Sequence, residues 1–192
     1  RETAGIAHEI AGELTDRFIE RLPFPLTNAQ QRAIGEIGAD LELARPMHRL
    51  LQGDVGSGKT LVAVHALLTA VQGGYQGALM APTEVLAEQH HAGVTAMLGD
   101  LSVPDSSTLM GERPLRVELL TNRVAAGDRR KILADLVTGK VDIIIGTHAL
   151  IQEKVEYAAL GVVVIDEQHR FGVEQRAALR EKGDAVTAPD VL

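Results

Sequence analysis

Apolar residues recur along this chain in two rhythms, one close to the helical turn and one of short β-branched runs. Between Arg1 and Arg21, Ile6, Ile10, Leu14 and Phe18 stand four apart, with Glu9, Glu13, Asp16 and Arg17 off that line, and the spacing predicts a packing helix. Leu22-Pro-Phe-Pro-Leu26 ends it, because two prolines so close cannot continue a helix. A second helix is predicted from Thr27 through Ala33, Ile34, Ile37, Leu41 and Leu43, and Thr27 and Gln30 have the spacing of a capping box. Leu50-Leu51 reads as the end of a strand, and Leu61, Val62, Val64, Leu67 and Leu68 follow at helical spacing until Gly73-Gly74 closes that helix.

Tyr75 to Met80 reads as a strand that runs into Ala81-Pro-Thr-Glu84 and a helix through Val85, Leu86 and His90, with Thr83 as its N-cap. Residues 99–116 show no period and are rich in Gly, Pro, Ser and Asp, which predicts a long surface loop or disordered insertion. Val117 to Leu120, Val141 to Ile145 and Val162 to Ile165 are further strands. Between them lies a helix with Ile132, Leu133, Leu136 and Val137 as apolar positions, Asp128 as its cap and Arg129-Arg130-Lys131 as a solvated basic shoulder. Strands alternating with helices in this way predict an α/β domain, a mostly parallel sheet with helices on both faces. We divide the chain into an N-terminal helix and linker, 1–22, and the main domain, 23–192.

Composition narrows this picture. The 192 residues suit one domain with a well-buried core, and the absence of cysteine excludes disulfides and thiolate metal sites. No apolar stretch approaches the ~18 residues of a membrane span, and RETAGIAHEI lacks the basic start and apolar centre of a secretory signal, so no membrane partner and a cytoplasmic location are expected. A net charge of −7 argues against coating nucleic acid by bulk electrostatics, so any such contact must be local. The start at Arg1 and the strand-like Ala188-Pro-Asp-Val-Leu192 lead us to expect a piece of a longer protein.

The chemistry centres on GDVGSGKT. Gly53, Asp54, Val55, Gly56, Ser57, Gly58, Lys59 and Thr60 fill the phosphate-loop pattern GxxxxGKT between a strand and a helix. Glycines without Cβ let backbone N–H groups close around phosphate oxygens, and the helix adds its positive end. Lys59 would charge-pair with the β- and γ-phosphates of ATP, and Thr60 would offer its hydroxyl to Mg²⁺. A second centre is Val162-Val-Val-Ile-Asp-Glu-Gln-His169, where a buried strand delivers Asp166, expected to hold Mg²⁺, and Glu167, expected to orient and deprotonate the attacking water. Two readings of Gln30 stand side by side: it caps its own helix, or, as the resemblance of Phe24-Pro-Leu-Thr-Asn-Ala-Gln30 to an upstream element of superfamily-two motor ATPases implies, it reads the adenine edge. Likewise Thr83 either caps a helix or places a free helix N-terminus against a phosphate.

Together GDVGSGKT, APTEVLAEQHH (Ala81 to His91), GTHALIQ (Gly146 to Gln152) and DEQHRFGVEQR (Asp166 to Arg176) resemble the RecG family of bacterial ATP-dependent DNA helicases, in helicase superfamily two. Asp166 to His169 would be its variant of the DEAH-type box, and Gln168 with Gln175-Arg176 favours this family over the transcription-repair coupling factors. The resemblance implies a first RecA-like motor lobe. It implies adenine recognition by Phe24 and Gln30, DNA backbone contacts by Pro82, Thr83, Gly146 and Thr147, and coupling of ATP state to DNA grip through His169. Arg170 and Arg176 become candidate interface or DNA residues. It also implies partners outside these residues: branched DNA, a second lobe with catalytic arginines, and a wedge domain. Because arginine fingers contribute ~10³ to 10⁵ in phosphoryl-transfer rate, the lobe alone is expected to bind nucleotide weakly and not to unwind DNA. Leu119-Leu-Thr-Asn122 departs from the family at its last position, where Gly is usual, and Asn is expected to tolerate the left-handed turn. Two other readings remain: a phosphate-loop enzyme acting on a small molecule, for which no clear substrate lid or phosphate clamp is present, and an interaction module whose motifs are idle.

Overall fold

The computed structural model describes residues 4–43, 58–152 and 154–166 fully, and the backbone of residues 187–188 and 190–191. The chain forms β1 (Ala4–Gly5), α1 (Glu13–Glu20), α2 (Asn28–Leu41), α3 (Lys59–Gln72), β2 (Gln76–Met80), α4 (Glu84–Leu98), β3 (Ser102–Pro104) and β4 (Glu112–Pro114). β5 (Val117–Leu120), α5 (Ala126–Val137), β6 (Ile143–Gly146), a 3-10 turn at His148–Ile151, β7 (Leu160–Ile165), β8 (Thr187–Ala188) and β9 (Asp190–Val191) follow. Five strands lie in the order β5-β6-β2-β7-β9, every pairing parallel, so all their carboxyl ends emerge at one rim.

Strand alternation sorts the core into two layers. Leu79, Ile143, Ile145, Val162 and Val164 face one way and pack with α1, α2, α3 and α4. Ala78, Met80, Ile144 and Val163 face the other way, against Ile132 and Leu136 of α5 and Leu150 and Val155 of the β6–β7 connection. The parallel α/β sheet with helices on both faces is therefore as the sequence predicts. The amino rim is held by Gln76, a buried amide whose Nε2 donates to Leu136 O (2.8 Å) and Val141 O (3.0 Å) while Oε1 accepts from Ala159 N (3.0 Å). Its capacity is nearly filled, as burial of an amide requires.

Four local expectations differ from the structure. The first helix begins only at Glu13 rather than covering 1–21. Residues 4–10 instead bury Ile6 and His8 while Ala7 and Glu9 stay exposed, a strand-like alternation. A spacing of four is one helical turn and also two strand repeats, so Ile6 and Ile10 could not decide between them. Gln72 at the end of α3 fixes the extended path, its Nε2 donating to Glu9 O (2.7 Å) and its Oε1 accepting from Thr15 N (3.3 Å).

Residues 99–116 are an ordered hairpin, β3 against β4, rather than a structureless loop. Its strands are too short to show a period, and its order comes from contacts distant in sequence. Arg113 grips Asp142 through two bonds of 2.7 and 2.8 Å, Arg116 N donates to the same carboxylate (2.8 Å), and Leu101 and Val103 are buried. The large apolar side chains it exposes, Leu109 and Met110, stand at its tip. Asp128 lies inside the first turn of α5 rather than capping it; Ala125 is the cap position and makes no side-chain bond. Asn122 is not left-handed, since no described residue other than glycine has a positive φ; its N–H donates instead to Glu84 Oε1 (3.0 Å).

Candidate nucleotide site at the carboxyl rim

α3 carries the end of the phosphate loop to this rim by simple geometry. Its last residue is followed by Gly73, Gly74 and Tyr75 and then β2, so helix and strand run in opposite directions, and Leu67 packs directly on Gly77, where a Cβ would meet Leu67 Cδ2 at 2.7 Å. From Leu67 back to Lys59 the helix rises ~12 Å at ~1.5 Å per residue. From Gly77 to Met80 the strand advances ~10 Å at ~3.3 Å per residue. Lys59 is thus level with the end of β2. Gly58 before it is left-handed (φ 79°), and no side chain caps α3, so its first N–H groups are oriented for an anion. Lys59 is half-buried and Thr60 exposed.

Gln30 reaches the same place from α2. The capping box forms: Thr27 Oγ1 accepts from Gln30 N (3.1 Å) and Gln30 Oε1 accepts from Thr27 N (2.9 Å). The amide's other end lies against the loop, for a Cβ on Gly58 would stand 2.1 Å from Gln30 Nε2. Capping and proximity to the nucleotide loop are therefore compatible, since each uses a different end of the amide. Phe24, just upstream, is 77 % exposed.

Asp166 arrives by alternation. Val162 and Val164 face the α3 and α4 layer, Val163 the opposite layer, and the next residue of that parity after Val164 is Asp166. Asp166 N donates to Met80 O (2.9 Å), which carries the strand pairing one residue past β7. Its carboxylate meets α4, with Oδ2 2.9 Å from His90 Nε2, and both side chains are largely buried. A carboxylate oxygen accepts, so the imidazole Nε2–H donates. The sequence marks His90 only as a member of this helix. The available signal was its place on the apolar stripe Ala87, His90, Val94, where a polar side chain needs a partner.

The two segments expected to meet DNA are neighbours. Met80 pairs with Gly146, and Ala81 N donates to Gly146 O (2.8 Å), so Pro82-Thr83 and Gly146-Thr147 leave adjacent strands side by side. Thr83 caps α4, its Oγ1 accepting from Leu86 N (3.2 Å), whereas Thr147 makes no capping bond. Gly146 has a packing reason of its own: a Cβ there would stand 2.3 Å from Leu120 O. The α4 end of this rim is braced by Arg123, which pairs with Glu84 (3.0 Å) and Glu88 (3.3 Å). Gly53, Asp54, Val55, Gly56, Ser57, Glu167 and His169, with Gln168, Arg170, Gln175 and Arg176, lie outside the described residues.

A divalent cation with a nucleotide needs only one or two carboxylates, since phosphates and water complete its shell. Asp166 with the exposed hydroxyl of Thr60 fits that donor set. Among the described residues there is no cluster of three His, Asp or Glu that would hold a metal without nucleotide, and no helix long and apolar enough to cross a membrane.

Comparison with known proteins shows what the chain is similar to. The chain is 55 % identical over 181 residues to the ATP-dependent DNA helicase RecG of Synechocystis and 51 % identical over 191 residues to that of Bacillus subtilis. These alignments take in 94 % and 100 % of this chain but only 20 % and 26 % of those proteins, so the chain spans about a quarter or less of their length. A solved structure of RecG bound to a three-way DNA junction superposes with a TM-score of 0.81 at 41 % identity, over 98 % of this chain and 23 % of that one. The sequence profile of DEAD/DEAH box helicases matches residues 27–190, and the chain belongs to that family.

Proposed function

We propose that the chain is the first, ATP-binding lobe of a RecG-type DNA helicase or translocase, which remodels branched DNA at the expense of ATP. What supports this most is one juxtaposition: the α3 N-terminus with Lys59 and the Asp166 carboxylate share one rim and one face of the sheet. In this reading the backbone of Gly53 to Gly58 cradles the phosphates and Lys59 neutralises them. Thr60 and Asp166 hold Mg²⁺, Glu167 orients the attacking water, and Gln30 with Phe24 receives the adenine. Mg²⁺ bound with ATP supplies neutralisation of charge on the β- and γ-phosphate oxygens. Pro82, Thr83, Gly146 and Thr147 take one DNA strand by its phosphates, a sequence-indifferent contact suited to a translocase. Such contacts are local, in keeping with a net charge of −7. A second lobe, supplying arginines, and a fork-gripping wedge complete the machine.

The test is ATP turnover by the full-length protein with forked, linear and no DNA. Forked DNA should raise the rate most. Equal rates under all three conditions, or stimulation by a small metabolite instead, would overturn the proposal.

A further inference from the structure

We propose that His90 is a positioning residue for Asp166: by donating Nε2–H to Oδ2, it fixes the plane of the carboxylate that is to receive the cation. The proposal rests on the reading of Asp166 given above as the metal-holding acid.

The geometry favours a fixed arm over a chance surface contact. His90 stands on the stripe of α4 between Ala87 and Val94, both fully buried, so the helix face toward the sheet aims its ring. The helix is itself held at its start, by the Thr83 cap and by Glu84, which accepts from Asn122 N and pairs with Arg123. On the other side Asp166 is tethered through its N–H to Met80 O. Donor and acceptor are thus both set by secondary structure, and the 2.9 Å bond between them is short and largely shielded from water. A carboxylate so engaged is held in a defined plane and direction toward the rim. Partners of this kind, one step removed from the metal, typically alter metal affinity or activity by ~10- to 100-fold when removed.

The experiment compares His90→Ala, His90→Gln and Asp166→Asn in the full-length protein. The readout is Mn²⁺ binding, followed by electron paramagnetic resonance with a non-hydrolysable ATP analogue present. Thermal melting and metal-free analogue binding are measured alongside. His90→Ala should weaken Mn²⁺ binding by about 10-fold or more, with metal-free analogue affinity retained. His90→Gln, whose amide N–H can stand where Nε2–H stood, should restore most of it. Wild-type Mn²⁺ affinity in His90→Ala, or equal loss in the Gln and Ala variants, would overturn the role of His90. If Asp166→Asn also binds Mn²⁺ normally, the metal-holding reading of Asp166 fails and the proposal falls with it. If Asp166→Asn is impaired and His90→Ala is not, only the role of His90 is lost.

Discussion

Gln30 holds its own helix with one end of its amide and lies against Gly58 with the other, so the first turn of α2 and the last glycine of the phosphate loop are mechanically joined. Gly58→Ala should disturb both. A side chain at φ 79° costs ~1–2 kcal/mol in backbone strain. The new methyl would also displace Gln30 from its cap, adding about 1 kcal/mol. Nucleotide titration calorimetry should show affinity largely lost, and a variant that binds normally would contradict the arrangement.

In the proposed reading, Lys59→Ala removes the only charge that the described loop residues would bring to the phosphates. Turnover in the full-length protein should fall by at least ~10²–10³-fold, the scale on which one lost electrostatic contact to the transition state acts. Steady-state ATPase assays check this, and near-normal rates would refute the role.

Gly146→Ala should destabilise the sheet itself. The obstacle to a Cβ is the backbone carbonyl of Leu120 at 2.3 Å, which cannot swing aside as a side chain would. Overpacking of this kind costs ~1–3 kcal/mol. Urea unfolding should show the drop, and an unchanged midpoint would mean that β5 and β6 can separate freely.

Asp142→Ala should loosen the hairpin. It strips Arg113 of a two-bond partner and leaves Arg116 N without its acceptor, a loss of about 2–3 kcal/mol for bonds to a charged group. Limited proteolysis should then cut between residues 102 and 114 faster than it cuts the native chain there.

Acidification should weaken the fold in two stages. Burial holds His65 below its ordinary value of 6.5, against the opposing pull of Asp16. The unfolded chain therefore binds that proton more readily, and stability falls as pH drops below 6.5. Asp135 is held below the ordinary carboxylate value of 3.8, chiefly by the hydrogen bond from Arg116. Its contribution is complete above 3.8 and disappears as pH falls through the depressed value. Denaturation midpoints across pH 7 to 3 test both stages. His65→Gln should flatten the first and Asp135→Asn the second.

How much of this was legible in the sequence depends on the range of the interactions involved. Helices α2 to α5 and the buried strands announce themselves because packing one face against a sheet demands periodic apolar residues, and Thr27 with Gln30 declared a cap that the structure forms. The extended path of Ile6 to Ile10 reads as helix in the sequence, and the hairpin as a structureless loop, and both readings fail. Both segments are decided by partners far along the chain, Gln72 in one case and Asp142 in the other. The rim was legible as a set of motifs, whereas the bond from His90 to Asp166 spans 76 positions and leaves no local trace beyond a polar residue on an apolar stripe.

The hairpin of residues 102–114 hangs from the beginnings of β5 and β6, at the end of the sheet away from Lys59 and Asp166. Because the register of the parallel strands sets where Met80, Gly146 and Ile165 terminate, changes in the hairpin's length are absorbed before they reach that far end. The domain therefore has one border that cannot shift by an ångström and another that can grow or shrink, and Leu109 and Met110 stand on the forgiving one.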